Sequence, residues 1–176
     1  DFKPRYGVAT VCIQANVHGF RCGLIGNNGP IDPDGATKAT QFMQLMDQAD
    51  TPVIFLQNTT GYMVGKEYER AGMIKHGSKM IQSVTNIEVP RITFQIGASY
   101  GAGNYGMCGR ALAKQEAHRT NLFNSQSSGF YTSGHDMDDG MIDPRDTRRT
   151  LGFLLATVWE ARHRSVRENS FGIARC

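Results

Sequence analysis

The sequence feature that most constrains the fold is a short strand-like run that leads into a glycine-dense turn. Residues 91–96 are mostly apolar or β-branched and stand between Pro90 and Gly97, a pattern typical of a β-strand. Glycines then punctuate residues 97–106, and residues 102–111 can form a helix. Backbone N–H groups at the start of such a helix lack intrahelical partners and favour negative charge. The segment therefore predicts a strand, a turn suited to an anion or a developing oxyanion, and a helix.

The same segment matches the motif of a serine hydrolase. Residues 97–101 fit the nucleophile elbow G-x-S-x-G, which would make Ser99 the nucleophile. Such an enzyme also needs an acid and a histidine, and Asp138, Asp139 and His163 follow in that order. A hydrolase that uses Ser99 is therefore one interpretation of the segment.

Two further interpretations use the glycines themselves. Residues 101–106 fit the dinucleotide fingerprint G-x-G-x-x-G. A Rossmann domain needs a second strand that ends in an acidic residue about 20 residues later, but residues 113–121 are polar and lack a strand pattern. Alternatively, the backbone amides of Gly101, Ala102 and Gly103 form an oxyanion hole, and the small residues let a ligand approach the backbone. The fingerprint is disfavoured, while the hydrolase and the amide interpretations both stay open.

Composition and charge are those of a soluble globular domain. The chain has 176 residues, 40% hydrophobic and 20% charged, with a net charge of +3. No run approaches the roughly 18 apolar residues of a membrane span, and the basic residues are spread out, so we expect neither membrane insertion nor nucleic-acid binding. Cysteines and histidines lack ligand spacing, which predicts no metal and reduced thiols in the cytoplasm or the mitochondrial matrix. Because the chain starts at Asp1 without a methionine, we expect it to be part of a longer protein.

The order of the predicted elements is that of a layered α/β domain. The predicted strands lie at residues 8–15, 20–27, 52–56 and 91–96, and the first two form a hairpin. The predicted helices lie at residues 34–49, 68–86 and 143–163. Asp34 and Asp143 are the expected N-caps. The expected apolar faces are Ala39, Phe42, Met43 and Met46; Ala71, Ile74, Ser78, Ile81 and Val84; and Leu151, Leu154, Leu155, Val158 and Trp159. Glycine-bearing loops follow two of the strands, where α/β domains bind ligands.

Several longer stretches are similar to a known enzyme family. They are residues 2–7, 26–29, 55–65, 68–69, 75–80, 97–110, 138–148 and 171–172. Two of them read Phe-Leu-Gln-Asn-Thr-Thr-Gly-Tyr-Met-Val-Gly (55–65) and Gly-Ala-Ser-Tyr-Gly-Ala-Gly-Asn-Tyr-Gly-Met-Cys-Gly-Arg (97–110). The chain resembles the carboxyltransferase β subunit of biotin-dependent acyl-CoA carboxylases, in particular the methylcrotonoyl-CoA and geranyl-CoA carboxylase branch.

This resemblance implies a fold, a reaction and partners. The fold is crotonase-like, a layered ββα superhelix, and the chain corresponds to the C-terminal of two such domains, so that the N-terminal carboxyltransferase domain is absent from it. The reaction moves a carboxyl group from carboxybiotin to a branched enoyl-CoA, methylcrotonoyl-CoA or geranyl-CoA, in leucine or isoprenoid catabolism. The partners are the acyl-CoA, the biotin carboxylase and biotin carboxyl carrier α subunit, and other β subunits, as a β hexamer within an α6β6 complex. A non-catalytic assembly domain is the non-enzyme alternative.

The resemblance also assigns a role to each glycine loop. Around Gly101, Ala102 and Gly103, the amides would hold the ureido carbonyl oxygen of biotin, which the partner subunit carries covalently. The implied biotin-binding residues are Gly61, Tyr62, Met63, Val64, Gly65 and Tyr100. The biotin nitrogen would then act as the base on the acyl-CoA, and Ser99 would be a turn residue only.

In one place the sequence departs from the family pattern. Between Arg110 and Phe123, family members carry a further strand, a V-M-G-G-E-Q-A-type motif and a helical stretch. Here Ala111 to Lys114 lead directly to the tail. The resemblance therefore predicts that a βα segment is left out or deleted near residues 111–122.

Overall fold

The fold is organised around a four-stranded sheet with strand order β1-β2-β3-β4. The computed structural model describes residues 1–99, 101–107, 128–135 and 138–165. The strands are β1 (Thr10–Val17), β2 (Phe20–Asn27), β3 (Val53–Thr59) and β4 (Arg91–Ser99). β1 and β2 pair antiparallel, whereas β2, β3 and β4 run parallel. The predicted α/β class and the predicted hairpin are confirmed.

A two-residue turn fixes the register of the hairpin. His18 and Gly19 join β1 to β2 with φ of 51° and 86°, and positive φ at both positions is typical of a type I′ turn. Val17 therefore pairs with Phe20, and the ladder continues without a break. β1 ends two residues later than predicted because the hairpin turn needs only two residues, and it begins two residues later because residues 8 and 9 lie in a turn of their own.

The first helix, α1 (Pro33–Gln48), packs against the sheet through its apolar side. This side is the predicted one: Ala39, Phe42, Met43 and Met46 are buried. The N-cap is Asp32 rather than the predicted Asp34, because Asp32 Oδ1 accepts a hydrogen bond from the Gly35 N–H at 2.6 Å. Proline then occupies the first helical position, where its missing N–H costs no bond.

The predicted helix at residues 68–86 is divided into two. α2 (Lys66–Arg70) and α3 (Met73–Asn86) are separated at Gly72, whose φ of 87° a helix cannot contain. Within α3 the stripe that faces the core begins at Met73 and not at Ile74, which is 79% exposed. The buried residues of α3 are Met73, Gly77, Met80, Ser83 and Val84. The predicted apolar face is therefore wrong except at Val84.

Helices cover the two faces of the sheet unequally. The remaining elements are α4 (Gly103–Met107), α5 (Gly129–Gly134), a 3₁₀ turn (Pro144–Asp146) and α6 (Thr147–His163). The main core lies between one face and helices α1 and α3, and it includes Ile25, Phe42, Phe55 and Met80. On the other face, α6 packs Leu151 and Leu155 against Cys22 and Ile54. Trp159, predicted to belong to this stripe, is 54% exposed.

The last helix begins in two steps. Asp143 Oδ1 accepts a hydrogen bond from the Arg145 N–H at 2.9 Å, as expected of the predicted cap. The residues that follow form a 3₁₀ turn, and α6 itself starts only at Thr147. Within the described ranges, no helix combines the length and the apolar character that crossing a membrane requires.

Candidate active site

The two glycine loops that the sequence singles out lie in contact at the upper end of the sheet, which we define as the carboxyl ends of β3 and β4. A Cβ built on Gly103 would lie 2.9 Å from Thr59 Oγ1 and 3.0 Å from Gly61 Cα. Such distances are too short for a side chain, so only glycine lets the second loop approach the first this closely. Gly101 has a φ of 64° and also lies beside Gly61.

The turn of the second loop presents backbone amides next to the first loop. Gly101 and Ala102 are exposed, whereas Gly103 is buried. Among the residues that the structure describes, no acceptor is found for the N–H groups of these three residues. Donors of this kind suit an oxygen that carries negative charge.

The first loop is held in place by backbone hydrogen bonds. Ile31 N–H donates to the Gly61 carbonyl at 2.9 Å, and Met63 N–H donates to the Ile31 carbonyl at 2.9 Å. Thr59 Oγ1 accepts from the Gly61 N–H at 3.1 Å. Beyond this anchored part, Val64 is 85% exposed, so the loop ends as an open apolar surface.

Tyr62 points inward from this loop. Its ring lies against Gly77. Its hydroxyl oxygen lies 2.4 Å from the position that a Cβ on Gly106 would take. The hydroxyl is buried without a hydrogen-bond partner in the described part of the chain, and burial raises the pKa of Tyr62 to about 12. Tyr62 thus supports the floor of the loops through its ring. Tyr100, the other tyrosine expected here, lies outside the described residues.

A polar network lies beneath the turn. Gln57 Nε2 donates to Ser99 Oγ at 3.0 Å and also to Asn104 Oδ1. Ser99 Oγ donates to Asn104 Oδ1 at 2.9 Å. These bonds connect β3, the end of β4 and the start of α4, and they lie on both sides of the turn that carries the amides.

A second polar contact supports the irregular end of β4. Between Gln57 and Thr59 the pairing of β3 with β4 shifts, so that Ser99 lies opposite Thr59. Asn58 Oδ1 accepts from the Ala98 N–H at 2.8 Å within this bulge. A Cβ on Gly97 would lie 2.4 Å from Asn58 Oδ1, so the glycine makes room for the contact.

Sequence reasoning found both loops and missed the side chains that hold them. Gln57 and Asn104 were not predicted to belong to the site. The available signal was the abrupt change at the end of β3, where the apolar run 53–56 is followed by the polar residues 57–60. Polar amides in a strand that is otherwise buried need hydrogen-bond partners, and here the partners are in the glycine segment.

The hydrolase constellation is not assembled in the described residues. Ser99 Oγ is bonded to amide side chains, whereas Asp138 accepts from Ser133 Oγ at 2.7 Å. His163 lines a groove together with Pro52, next to the first residue of β3. Since β3 rises about 3.3 Å per residue, the histidine and Ser99 lie at opposite ends of the sheet. The Ser99 triad is therefore wrong.

That groove marks the lower end of the sheet, which we define as the amino ends of β3 and β4. It has a volume of about 470 Å³. Basic and aromatic side chains line it, namely Arg21, Trp159, Arg162 and His163. Arg162 forms an ion pair with Asp50 across the groove, and Trp159 stacks on His163 with ring centroids 4.3 Å apart.

Several known proteins resemble this chain in sequence. Residues 1–121 match the sequence profile of the carboxyl transferase domain. A probable biotin-dependent acyl-coenzyme A carboxylase β2 subunit of Mycobacterium tuberculosis is 42% identical over 90% of this chain and 39% of its own length. The mitochondrial methylcrotonoyl-CoA carboxylase β chain of Dictyostelium discoideum is 34% identical over 89% of this chain and 34% of its own.

A solved structure matches along nearly the whole chain. The β subunit of P. aeruginosa geranyl-CoA carboxylase superposes with a TM-score of 0.87 at 45% identity, covering 99% of this chain and 41% of that one. The predicted crotonase-like fold is confirmed. The chain spans between about a third and two fifths of the length of these three proteins.

Proposed function

Since the chain belongs to the carboxyl transferase domain family, we propose that it forms the biotin-side half of an acyl-CoA carboxyltransferase active site. The observation that carries this proposal is the contact between the two glycine loops, in which Gly103 lies against Gly61 and Thr59 and leaves a turn of backbone amides at the surface. Relatives of similar sequence are biotin-dependent carboxylase β subunits. The site as a whole would be completed outside this chain.

The residues present fit a small planar ring with a carbonyl oxygen. Gly101 and Ala102 are exposed and carry little or no side chain, which lets a flat group approach the backbone of the turn closely. Amides of Gly101, Ala102 and Gly103 would donate to the ureido oxygen of biotin, and the loop from Gly61 to Gly65 would line the ring together with Tyr100. Biotin, carried by the partner subunit, supplies the carboxyl group when bound.

The contribution of this chain would be electrostatic. Fixed N–H donors aimed at an oxygen that becomes more negative in the transition state lower the barrier without needing a nucleophile. Removal of one such donor typically costs about 10²–10³-fold in kcat. No side chain of this chain needs to exchange a proton in this scheme, which accords with a network of neutral amide and hydroxyl groups beneath the turn.

For the substrate we propose a branched enoyl-CoA, methylcrotonoyl-CoA or geranyl-CoA. Support comes from relatives that are named for these substrates and resemble this chain at 34% and 45% identity. The partners we propose are an α subunit that carries biotin carboxylase and biotin, and further β subunits in a hexamer. We propose the cytoplasm or the mitochondrial matrix as the location.

The test is carboxyl transfer by the full natural subunit. It would be purified with its biotinylated partner and given ATP, labelled bicarbonate and either enoyl-CoA. We expect acid-stable label in one of the two CoA esters. A carrier that becomes carboxylated while neither ester gains label would contradict the proposal, and release of free CoA without label would point to hydrolysis instead.

We also propose that a segment present in relatives is absent near residues 111–122. Those residues lie outside the described part of the chain. Support comes from the alignment with the M. tuberculosis protein, which extends over 204 positions although 90% of 176 residues is about 158. The intact mass of the natural subunit, together with the sequence of its transcript, tests this. A transcript that joins Arg110 to Gln115 through four codons would mean a true deletion.

A further inference from the structure

The inner face of β3 changes character at one residue. Val53 and Phe55 are fully buried, and Gln57, two residues further along the same face, is only 2% exposed. An apolar residue is the ordinary choice for this position, because a buried amide must be hydrogen-bonded to avoid a large desolvation cost. The partner in α4, Asn104, is 3% exposed and raises the same question.

Stability alone does not explain this pair. Replacing all partners of a buried hydrogen-bond network by apolar groups of similar shape is often neutral for stability. A polar network does, however, fix direction and distance, which apolar packing does not. The network bonds Ser99, at the end of β4, and Asn104, directly after Gly103. It therefore constrains the turn at both of its ends.

We infer that Gln57 and Asn104 are positioning residues that hold the Gly101–Gly103 turn at a fixed height above Thr59, so that its amides keep one geometry toward the ligand oxygen. This inference rests on the proposed function. The close approach of Gly103 to Thr59 leaves little tolerance, since a displacement of about 1 Å in a catalytic group can cost about 10²-fold in rate.

The decisive variant removes the whole network at once. In Gln57→Met/Ser99→Ala/Asn104→Leu the three side chains of the network are removed together, so none of the three is left without the other two, and the melting temperature should lie closer to that of the wild type than in Asn104→Leu alone. Asn104→Leu alone removes the acceptor that Gln57 and Ser99 share and should melt lower. We expect the triple variant to lose about 10²-fold in kcat, with KM for the biotinylated carrier changed less than about threefold.

A second readout does not depend on activity. Hydrogen exchange of the amides at residues 101–107, followed by mass spectrometry in the full subunit, should be faster by about tenfold or more in the triple variant, because the turn opens locally. Wild-type exchange and wild-type kcat in a folded triple variant would overturn the inference. If kcat among the variants simply follows the melting temperature, the network has a role in stability only.

A gentler variant and a control complete the experiment. Gln57→Asn keeps the amide but shortens its reach, so it should raise exchange in the turn and lower kcat even if the triple variant does not fold. Unchanged exchange and kcat in Gln57→Asn would also count against the inference. Asn86→Leu, an exposed asparagine at the end of α3, should alter neither quantity. If the wild-type subunit transfers no carboxyl group, the proposed function fails, while exchange still decides whether the network positions the turn.

Discussion

The two ends of the β3–β4 pair differ in the kind of chemistry they offer. At the upper end, glycine loops expose backbone amides above buried amide side chains. The two loops approach each other so closely that a Cβ built on Gly103 would lie only 3.0 Å from Gly61 Cα. At the lower end, a groove is lined by charged and aromatic side chains, of which Trp159 is 54% exposed. The lower end therefore has the kinds of side chain usually associated with a catalytic or binding site.

The difference lies in how firmly each end is held. Gln57, Asn58 and Thr59 each bond to a glycine segment, so the upper backbone has one arrangement. One of the cations at the lower end, Arg162, is paired with Asp50, whose side chain is 71% exposed. A rigid set of weak donors is better suited to stabilise a transition state than a loose set of strong charges. This difference supports the proposal that catalysis takes place at the upper end.

The largest expected effect comes from Gly103→Ala. Its Cβ would collide with Thr59 and with the backbone of Gly61, so the two loops must separate, and we expect carboxyl transfer to fall by about 10²-fold or more. Gly26→Ala is the matched control, because its Cβ would meet only Leu56 at 3.8 Å, an ordinary contact. Equal activity of both variants would mean that the close approach of the two glycine loops is not needed for carboxyl transfer at the upper end.

The next largest effect is on stability, where Tyr62 packs beneath the two glycine loops. Gly106→Ala places a Cβ 2.4 Å from the Tyr62 hydroxyl, and overpacking of this kind costs about 1–3 kcal/mol of unfolding free energy. Tyr62→Phe removes a hydroxyl that has no partner among the described residues, so it should be neutral or slightly stabilising. Chemical denaturation of the double variant should show recovery. Simple addition of the two single effects would mean that the contact is not the cause.

Much of this architecture could be predicted from the sequence, because local patterns determine it. Positive φ at His18 and Gly19 fits the short hairpin, and the helical spacing from Ala39 to Met46 gave the correct face of α1. For α3 the periodicity failed, since the buried stripe passes through Gly77, a glycine that packs against the Tyr62 ring, and the break at Gly72 was missed as well. A single glycine in a helical run does not reveal by itself whether it breaks the helix.

The backbone of the site was predictable from the sequence, but the side chains that hold this backbone in place were not. Glycine spacing indicated the amide turn and its rival motif, and only three-dimensional placement separates them, because Ser99 and His163 lie at opposite ends of the sheet. The bond between Gln57 and Asn104 spans 47 residues. Such long-range pairs depend on strand register and on the bulge in β4, and neither follows from local sequence.

A smaller effect is expected for Ser99→Ala. The hydroxyl is one member of the network, and Gln57 still donates to Asn104 without it, so carboxyl transfer should fall by less than about tenfold. Removal of a serine nucleophile would instead cost about 10⁶-fold. Steady-state kinetics with the intact complex distinguish these outcomes, and a loss near the larger value would return Ser99 to a catalytic role.

The smallest effect is expected at the lower end, for Arg162→Gln. The pair with Asp50 is open to solvent, and exposed ion pairs contribute about 0.2–1 kcal/mol. Unfolding free energy should therefore change by less than about 1 kcal/mol, and kcat and KM for both substrates should be those of the wild type. A double-mutant cycle with Asp50→Asn measures the pair itself.

If Arg162→Gln instead raised KM for the CoA ester, the cations of the groove would be binding its phosphates, and the lower end would be part of the substrate site. Because the groove and the amide turn lie at opposite ends of β3, such a result would require the CoA ester to bind far from the turn, and the reacting carbon would have to reach the amides from another subunit.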